Sequence, residues 1–201
     1  GWWFFAKLDV NSFFFPGIGD ITIGWLIIPL FMLVVISTAN AVNISDGLDG
    51  LAGGLLATSF GAYAVIALLQ GRYGVAAFCM TVVGSLLAYV WFNIFPARFF
   101  MGDVGSFSLG MALGVVAMIT DTLVLLPIIG FVFVAEAGSV VLQTISKKTR
   151  NGKKIFRISP VHHHFEAIGW PEAKVTMRFW VIGQIVAVTG IVIAILGGFI
   201  E

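Results

Sequence analysis

Carboxylate, amide and imidazole side chains are concentrated in three short stretches of this chain, residues 40–50, 93–106 and 160–166. In the first stretch Asp46 and Asp49 lie three positions apart, so on a helix they share one face. Carboxylates that meet in this way repel each other unless one is protonated or a cation bridges them. Mg²⁺ suits such ligands and usually takes one or two carboxylates plus substrate phosphates. With a further carboxylate in the second stretch, the pattern predicts a magnesium site, and helix capping is the alternative.

The second stretch combines a phosphate-binding pattern with an aromatic residue. Gly102-Asp-Val-Gly-Ser106 opens an apolar segment, and a glycine-rich helix start lets main-chain N–H groups approach an anion. A glycine-rich turn between two helices is the alternative, because such turns are common. Phe100 precedes Asp103 by three residues and suits stacking on a nucleobase.

The third stretch carries His162, His163 and His164 next to a basic segment. A zinc site is disfavoured, because adjacent histidines point in different directions and structural zinc uses cysteine or spaced histidine. Imidazoles that contact phosphate, in the positive potential of nearby Lys and Arg, are the preferred interpretation. Upstream, Glu136 lies inside an apolar run, where a polar contact between helices is favoured over a direct catalytic role. Gln143 is close enough along that run to reach the same cleft.

Composition places these stretches in a membrane protein. Of 201 residues, 59% are hydrophobic and 10% are charged, and the mean hydropathy is +1.04. Soluble domains are roughly 45–50% apolar and about 25% charged. The single cysteine, Cys79, excludes a disulfide within the chain. We therefore predict an all-α polytopic membrane helix bundle forming a single transmembrane domain over residues 1–201. About six spans are expected, at residues 21–41, 51–69, 75–94, 106–120, 123–145 and 175–199.

The distribution of Lys and Arg predicts the orientation in the membrane. Nine of the eleven basic residues fall in or beside the connections after the first, third and fifth spans. Those connections are therefore expected in the cytoplasm, with residues 146–174 as a cytoplasmic loop and residues 1–20 as an external loop. Counting crossings places all three polar stretches on the cytoplasmic face, where a bundle can bring them together.

Three motifs, at residues 40–52, 99–106 and 160–166, resemble those of the bacterial phospho-N-acetylmuramoyl-pentapeptide transferases, the MraY family. These enzymes belong to the polyprenyl-phosphate N-acetylhexosamine-1-phosphate transferase superfamily. The resemblance implies a Mg²⁺-dependent phosphoglycosyl transferase of peptidoglycan biosynthesis in the bacterial cytoplasmic membrane. It would move phospho-MurNAc-pentapeptide from UDP-MurNAc-pentapeptide to undecaprenyl phosphate, giving lipid I and UMP. Membrane lipid is a further expected partner, no nucleic acid is expected, and a homodimer is one open assembly.

The resemblance also implies roles for individual residues. Asp46, Asp103 and His162 would be catalytic, with Asp103 as the metal ligand. Asp49 and Phe100 would lie nearest the uracil. The full set expected to contact substrate is Asn43, Asp49, Asn93, Phe100, Ser106, Gln143 and His163.

One departure from that family concerns length. Its members have a longer helix bundle and an Asp-Asp pair on an earlier cytoplasmic connection, and this chain has no such pair. It resembles the C-terminal part of the family, so the chain alone is expected to be inactive. Two other functions stay open: transfer of GlcNAc-1-phosphate to a polyprenyl phosphate, and ion-coupled transport. Against transport, the aspartates lie at one membrane face and transporter sites lie near the midplane.

Overall fold

The computed structural model describes residues 1–200 and shows long apolar helices packed side by side. Five are long and apolar enough to cross a membrane, and a sixth span results if a bent pair is counted as one. The prediction of an all-α polytopic bundle with about six spans is confirmed. The helices are α1 Trp2–Ala6, α2 Ile27–Ser45, α3 Leu51–Leu69, α4 Tyr73–Asn93, α5 Gly102–Ile119, α6 Leu126–Ile129, α7 Phe131–Thr149, α8 Val161–Ala167 and α9 Glu172–Leu196.

A β-hairpin precedes the first span and was not predicted. Strands β1, Ser12–Phe15, and β2, Gly19–Thr22, pair antiparallel with Phe13 opposite Ile21. Because Ile21 belongs to a strand, the first span starts later than the predicted residue 21. Strand β1 contains three consecutive phenylalanines, Phe13 to Phe15, and aromatic residues are enriched in β-strands.

The predicted fifth span, residues 123–145, is not one continuous helix. The segments Leu123–Ile129 and Phe131–Thr149 meet at an angle of 81°. The break falls at Gly130, whose φ of −91° and ψ of 23° lie outside helical values, one turn after Pro127. An apolar groove of about 420 Å³ lies beside this bend, lined mainly by α2, α6 and α7.

Helix α3 forms the centre of the bundle. It is the most buried span and packs against α4, α5 and α9. Helices α2 and α5 approach closely at Gly110, where an added Cβ would lie 2.7 Å from the carbonyl oxygen of Thr38. Small residues at such crossings let membrane helices come into main-chain contact.

Polar contacts hold both ends of the bundle. At one end Gln70 donates to the carbonyl oxygens of Thr120 and Phe199, and the main-chain N–H of Phe14 donates to Asp121. The opposite end gathers the C-terminal ends of α2, α4 and α7 and the N-terminal ends of α5 and α9. The three polar stretches of the sequence occupy those positions, so the fold places them at one end of the bundle.

Candidate active site

Asn43 joins the first polar stretch to the second. Its side-chain Nδ2 donates to Oδ1 of Asp103 at 2.9 Å and contacts Oγ of Ser106 at 3.0 Å. Asn43 lies in the last turn of α2, whereas Asp103 and Ser106 lie in the first two turns of α5. Close packing of these two helices therefore fixes the Asp103 carboxylate beside the end of α2.

The Asp46 carboxyl is the second acidic group at this end of α2. Together with Asn43 and Asp103 it forms a cluster that we call the acidic corner. It follows α2 directly, with its main-chain N–H bonded to the carbonyl oxygen of Asn43 at 3.2 Å. Burial raises the pKa of Asp46 above its ordinary value, and the nearby Asp103 carboxylate raises it further. A carboxylate placed beside a second carboxyl group gives this region a net attraction for cations.

His162 brings the third stretch to the same corner. Its imidazole is fully buried and lies against Gly47, the residue after Asp46. A Cβ at position 47 would lie 2.4 Å from Nε2, so only glycine admits the ring so close to the chain. On its other side, Nδ1 lies 2.9 Å from Oε2 of Glu136. The structure therefore brings Asp46, Asp103 and His162 together, as their predicted common face requires.

Asp49 and Asn93 make hydrogen bonds to main-chain groups next to the acidic corner. Asn93 is 3% exposed; its Oδ1 accepts from the N–H of Gly50 at 2.9 Å, and its Nδ2 donates to the carbonyl oxygen of Phe99 at 2.9 Å. The Asp49 carboxylate accepts from the N–H of Ala97 at 2.9 Å. Both side chains connect the turn after α2 to the loop after α4. Their predicted contacts with a nucleoside stay predictions.

Gln143 organises the loop that follows α7. It is 2% exposed, its Nε2 donates to the carbonyl oxygen of Phe156, and its Oε1 accepts from the N–H groups of Ile155 and Phe156. The carboxamide is thereby engaged at both ends by main chain. A substrate contact of Gln143 stays a prediction, and its observed contacts are those of a residue that shapes the cleft wall.

Two predicted substrate residues are accessible. The Phe100 side chain is 72% exposed at the rim of the corner, so its ring is free to stack on a planar ligand. His163 is partly exposed and its Nδ1 lies 2.6 Å from Oε2 of Glu166. Near them, Trp170 has Lys174 and Arg178 over its ring at 4.6 and 4.4 Å from the centroid. These cations add positive potential at the same end of the bundle.

The acidic corner fits a magnesium ion that is shared with a substrate. Among residues 1–200, no group of three or more His, Cys, Asp or Glu side chains is arranged to hold a metal ion by itself. Asp46 and Asp103 would supply the one or two carboxylates that Mg²⁺ usually takes, and phosphate and water oxygens would complete the shell. Burial raises the pKa of Asp46 and the Asp103 carboxylate adds to this, and a bound cation would offset both effects.

The sequence reading missed a polar face at the start of α9. Glu172 Oε1 accepts from the N–H of Asp49 at 2.7 Å, and Thr176 donates to the carbonyl oxygen of Asp49 at 3.2 Å. One turn further, Trp180 Nε1 donates to the carbonyl oxygen of Gly50 at 3.1 Å. Their spacing of four was a usable signal. It was overlooked because the last span was predicted to begin only at residue 175.

Most of this chain is similar in sequence to known proteins. The profile of glycosyl transferase family 4 matches residues 2–121. The phospho-N-acetylmuramoyl-pentapeptide-transferase of Geobacillus sp. (strain WCH70) is 51% identical over 172 residues, 86% of this chain and 52% of that protein. The protein of that name from Bacillus mycoides (strain KBAB4) is 49% identical over 173 residues, 86% of this chain and 53% of its own length. The one from Chloroflexus aggregans is 47% identical over 190 residues, 91% of this chain and 52% of its own length.

This chain therefore spans about half the length of the curated relatives it matches. The partial coverage agrees with the expectation that it resembles the C-terminal part of its family. The family profile covers more than half of the chain, including the corner formed by Asn43, Asp46 and Asp103. On these grounds the chain belongs to glycosyl transferase family 4.

Proposed function

We propose that this chain supplies the nucleotide- and metal-binding part of a phospho-N-acetylmuramoyl-pentapeptide transferase. In this reaction UDP-MurNAc-pentapeptide and undecaprenyl phosphate give lipid I and UMP. The observation that carries the proposal is the junction of Asn43, Asp103 and Ser106, with His162 packed on the adjacent Gly47. The relatives' names support the substrate class.

The acidic corner would hold the diphosphate through a shared cation. Asp103, with Asp46 beside it, would hold Mg²⁺, which when bound neutralises the charge that develops on the diphosphate and on the leaving UMP. Asn43 keeps Oδ1 of Asp103 in place through the 2.9 Å hydrogen bond. An oxygen of the lipid phosphate attacks the β-phosphorus, the bond from that phosphorus to the bridging oxygen breaks, and UMP leaves with the electron pair.

The two substrates would approach from different sides. Phe100, exposed at the rim, would stack on the uracil, and His163, which is partly exposed beside the buried His162, would contact phosphate oxygens. The apolar groove beside the α6–α7 bend reaches Ala41 and Val42, next to Asn43. An isoprenoid chain lying in that groove would bring its phosphate to the acidic corner from within the bilayer. We place the acidic corner at the cytoplasmic face of the bacterial inner membrane, in agreement with the basic loops at this end.

The test compares this chain alone with a joined enzyme in which the N-terminal half of the Geobacillus relative precedes Gly1. With Mg²⁺, UDP-MurNAc-pentapeptide and undecaprenyl phosphate, the joined enzyme should release UMP, whereas the chain alone should not. Asp103→Asn in the joined enzyme should abolish the Mg²⁺-dependent release, because the mutant amide bears no charge. Turnover by the chain alone, or near-normal turnover by Asp103→Asn, would contradict the proposal.

The same preparation separates the rival functions. If UDP-GlcNAc supports UMP release and UDP-MurNAc-pentapeptide does not, the enzyme is a GlcNAc-1-phosphate transferase. Ion flux in liposomes without any UMP release would indicate a transporter.

A further inference from the structure

Glu136 is a carboxylate with no place in the proposed reaction, and its position is costly. It lies in α7 within the otherwise apolar segment Phe131–Ala137 and its side chain is fully buried. A buried ionisable group at membrane depth is expensive unless a partner compensates it, so such residues are usually functional. The identity of the partner therefore indicates what Glu136 does.

The partner is His162, the first histidine of α8. Oε2 of Glu136 lies 2.9 Å from the imidazole Nδ1 and also accepts from the main-chain N–H of His162 at 3.4 Å. Because the main-chain N–H already donates to this oxygen, the contact agrees with an accepting carboxylate and a hydrogen on Nδ1. Among residues 1–200, the other oxygen of Glu136 has no hydrogen-bond partner, so His162 is its principal contact.

The second nitrogen of His162 lies on the Gly47 side of the ring. Nε2 is buried and has no hydrogen-bond partner within the described part of the chain, and it lies against Gly47 beside Asp46. The imidazole is thus held from two sides: the Glu136 carboxylate behind Nδ1, and the glycine main chain in front of Nε2. With the hydrogen on Nδ1, Nε2 carries the lone pair on the Gly47 side of the ring.

We propose that Glu136 is a positioning residue that fixes His162 in the Nδ1–H form and directs Nε2 to the Asp46–Gly47 corner. The contribution of His162 to turnover rests on the transferase function proposed above, but the tautomer does not. A carboxylate behind a histidine commonly fixes which ring nitrogen serves a site, and the loss of such an outer partner typically costs about 10–100-fold in activity.

The first experiment reads the tautomer directly. The chain contains three histidines, so ¹⁵N-histidine NMR of the full chain in detergent micelles can be assigned with one substitution at each. In the wild-type chain the spectrum should show a protonated Nδ1 at His162. Glu136→Leu removes the acceptor and should move the proton to Nε2, whereas Glu136→Gln keeps an acceptor oxygen and should retain the Nδ1 proton. An unprotonated Nδ1 in the wild-type chain, or an unchanged form in Glu136→Leu, would overturn the proposal.

The second experiment reads function in the joined enzyme. Glu136→Leu should lower kcat for UMP release by about 10–100-fold with little change in KM for the UDP substrate, and Glu136→Gln should recover part of that loss. Ser139→Ala is the matched control, because Ser139 is buried in the same helix and donates to the main-chain oxygen of Glu136 at 2.7 Å. Its kcat should equal that of the wild type.

The outcomes separate the two proposals. A wild-type joined enzyme that releases no UMP counts against the transferase function, and the NMR result still decides the role of Glu136. Glu136→Leu with wild-type kcat, in an enzyme that His162→Ala inactivates, refutes the positioning role alone. If Glu136→Leu fails to give a monodisperse protein, Glu136→Gln decides: a retained Nδ1 proton together with a measurable kcat supports positioning. A wild-type kcat with Nδ1 unprotonated, or complete loss of kcat with Nδ1 still protonated, refutes it.

Discussion

Replacing Gly47 with alanine tests how closely the site is built around His162. The added Cβ would lie 2.4 Å from Nε2 and 2.9 Å from Cε1, whereas an ordinary contact is 3.4–4 Å. The ring must therefore move by about 1 Å. It cannot simply retreat, because its Nδ1 already lies 2.9 Å from Glu136. A displacement of about 1 Å in a reacting group can cost about 10²-fold in rate.

We expect Gly47→Ala to lower kcat of the joined enzyme by about 10²-fold. The assay is Mg²⁺-dependent UMP release at saturating substrates, with the melting temperature in detergent measured on the same preparation. Gly61→Ala is the control, because a Cβ at position 61 meets no atom of residues 1–200 within 4 Å. It should leave kcat unchanged.

A double-mutant cycle shows whether the effect passes through His162. In a His162→Ala background the methyl group at position 47 has no ring to displace, so Gly47→Ala should then have little further effect on the residual rate. If Gly47→Ala keeps more than about half of the wild-type kcat, the ring has room that the structure does not show, and the reasoning fails. An equal loss in both backgrounds would also refute it.

Two further predictions concern stability. Asn93→Ala leaves the N–H of Gly50 and the carbonyl oxygen of Phe99 without their partner, and each lost partner costs about 1–3 kcal/mol. Thermal unfolding in detergent should therefore show a lower Tm. An unchanged Tm would contradict this prediction. Burial raises the pKa of Asp121, so ionisation destabilises the folded state as pH rises above the unfolded value of 3.8. Asp121→Asn keeps an acceptor for the N–H of Phe14, so it should raise Tm at pH 8 but not at pH 3. An equal change of Tm at both pH values would contradict this prediction.

The sequence predicted the spans and the meeting of the polar stretches for clear physical reasons. A segment of apolar residues long enough for the bilayer has few folded alternatives. The number of crossings then decides which connections share a face, and Asn43, Asp103 and His162 were placed together on that basis alone. Their contacts through Asn43 and Gly47 agree with this placement.

Other features depend on information that hydropathy does not contain. The 81° bend at Gly130 leaves mean hydropathy unchanged, so a continuous span was predicted there. The hairpin depends on pairing between Phe13 and Ile21, which apolar content cannot distinguish from helix. Whether an amide such as Asn93 faces a ligand or the main chain depends on side-chain direction and on segments far away in sequence. Those features depend on how segments distant in sequence meet in the folded chain.

The two buried amides, Asn93 and Gln143, have a consequence for how substrate associates. Each bonds main-chain groups of the loops around the corner, at 2.9 Å in its shortest contacts. Loops that are already ordered lose little conformational entropy when a ligand arrives, so more of the contact energy becomes affinity. A nucleotide should therefore bind to a preformed site. Calorimetry of nucleotide binding should not show the large heat-capacity change that accompanies coupled folding and binding.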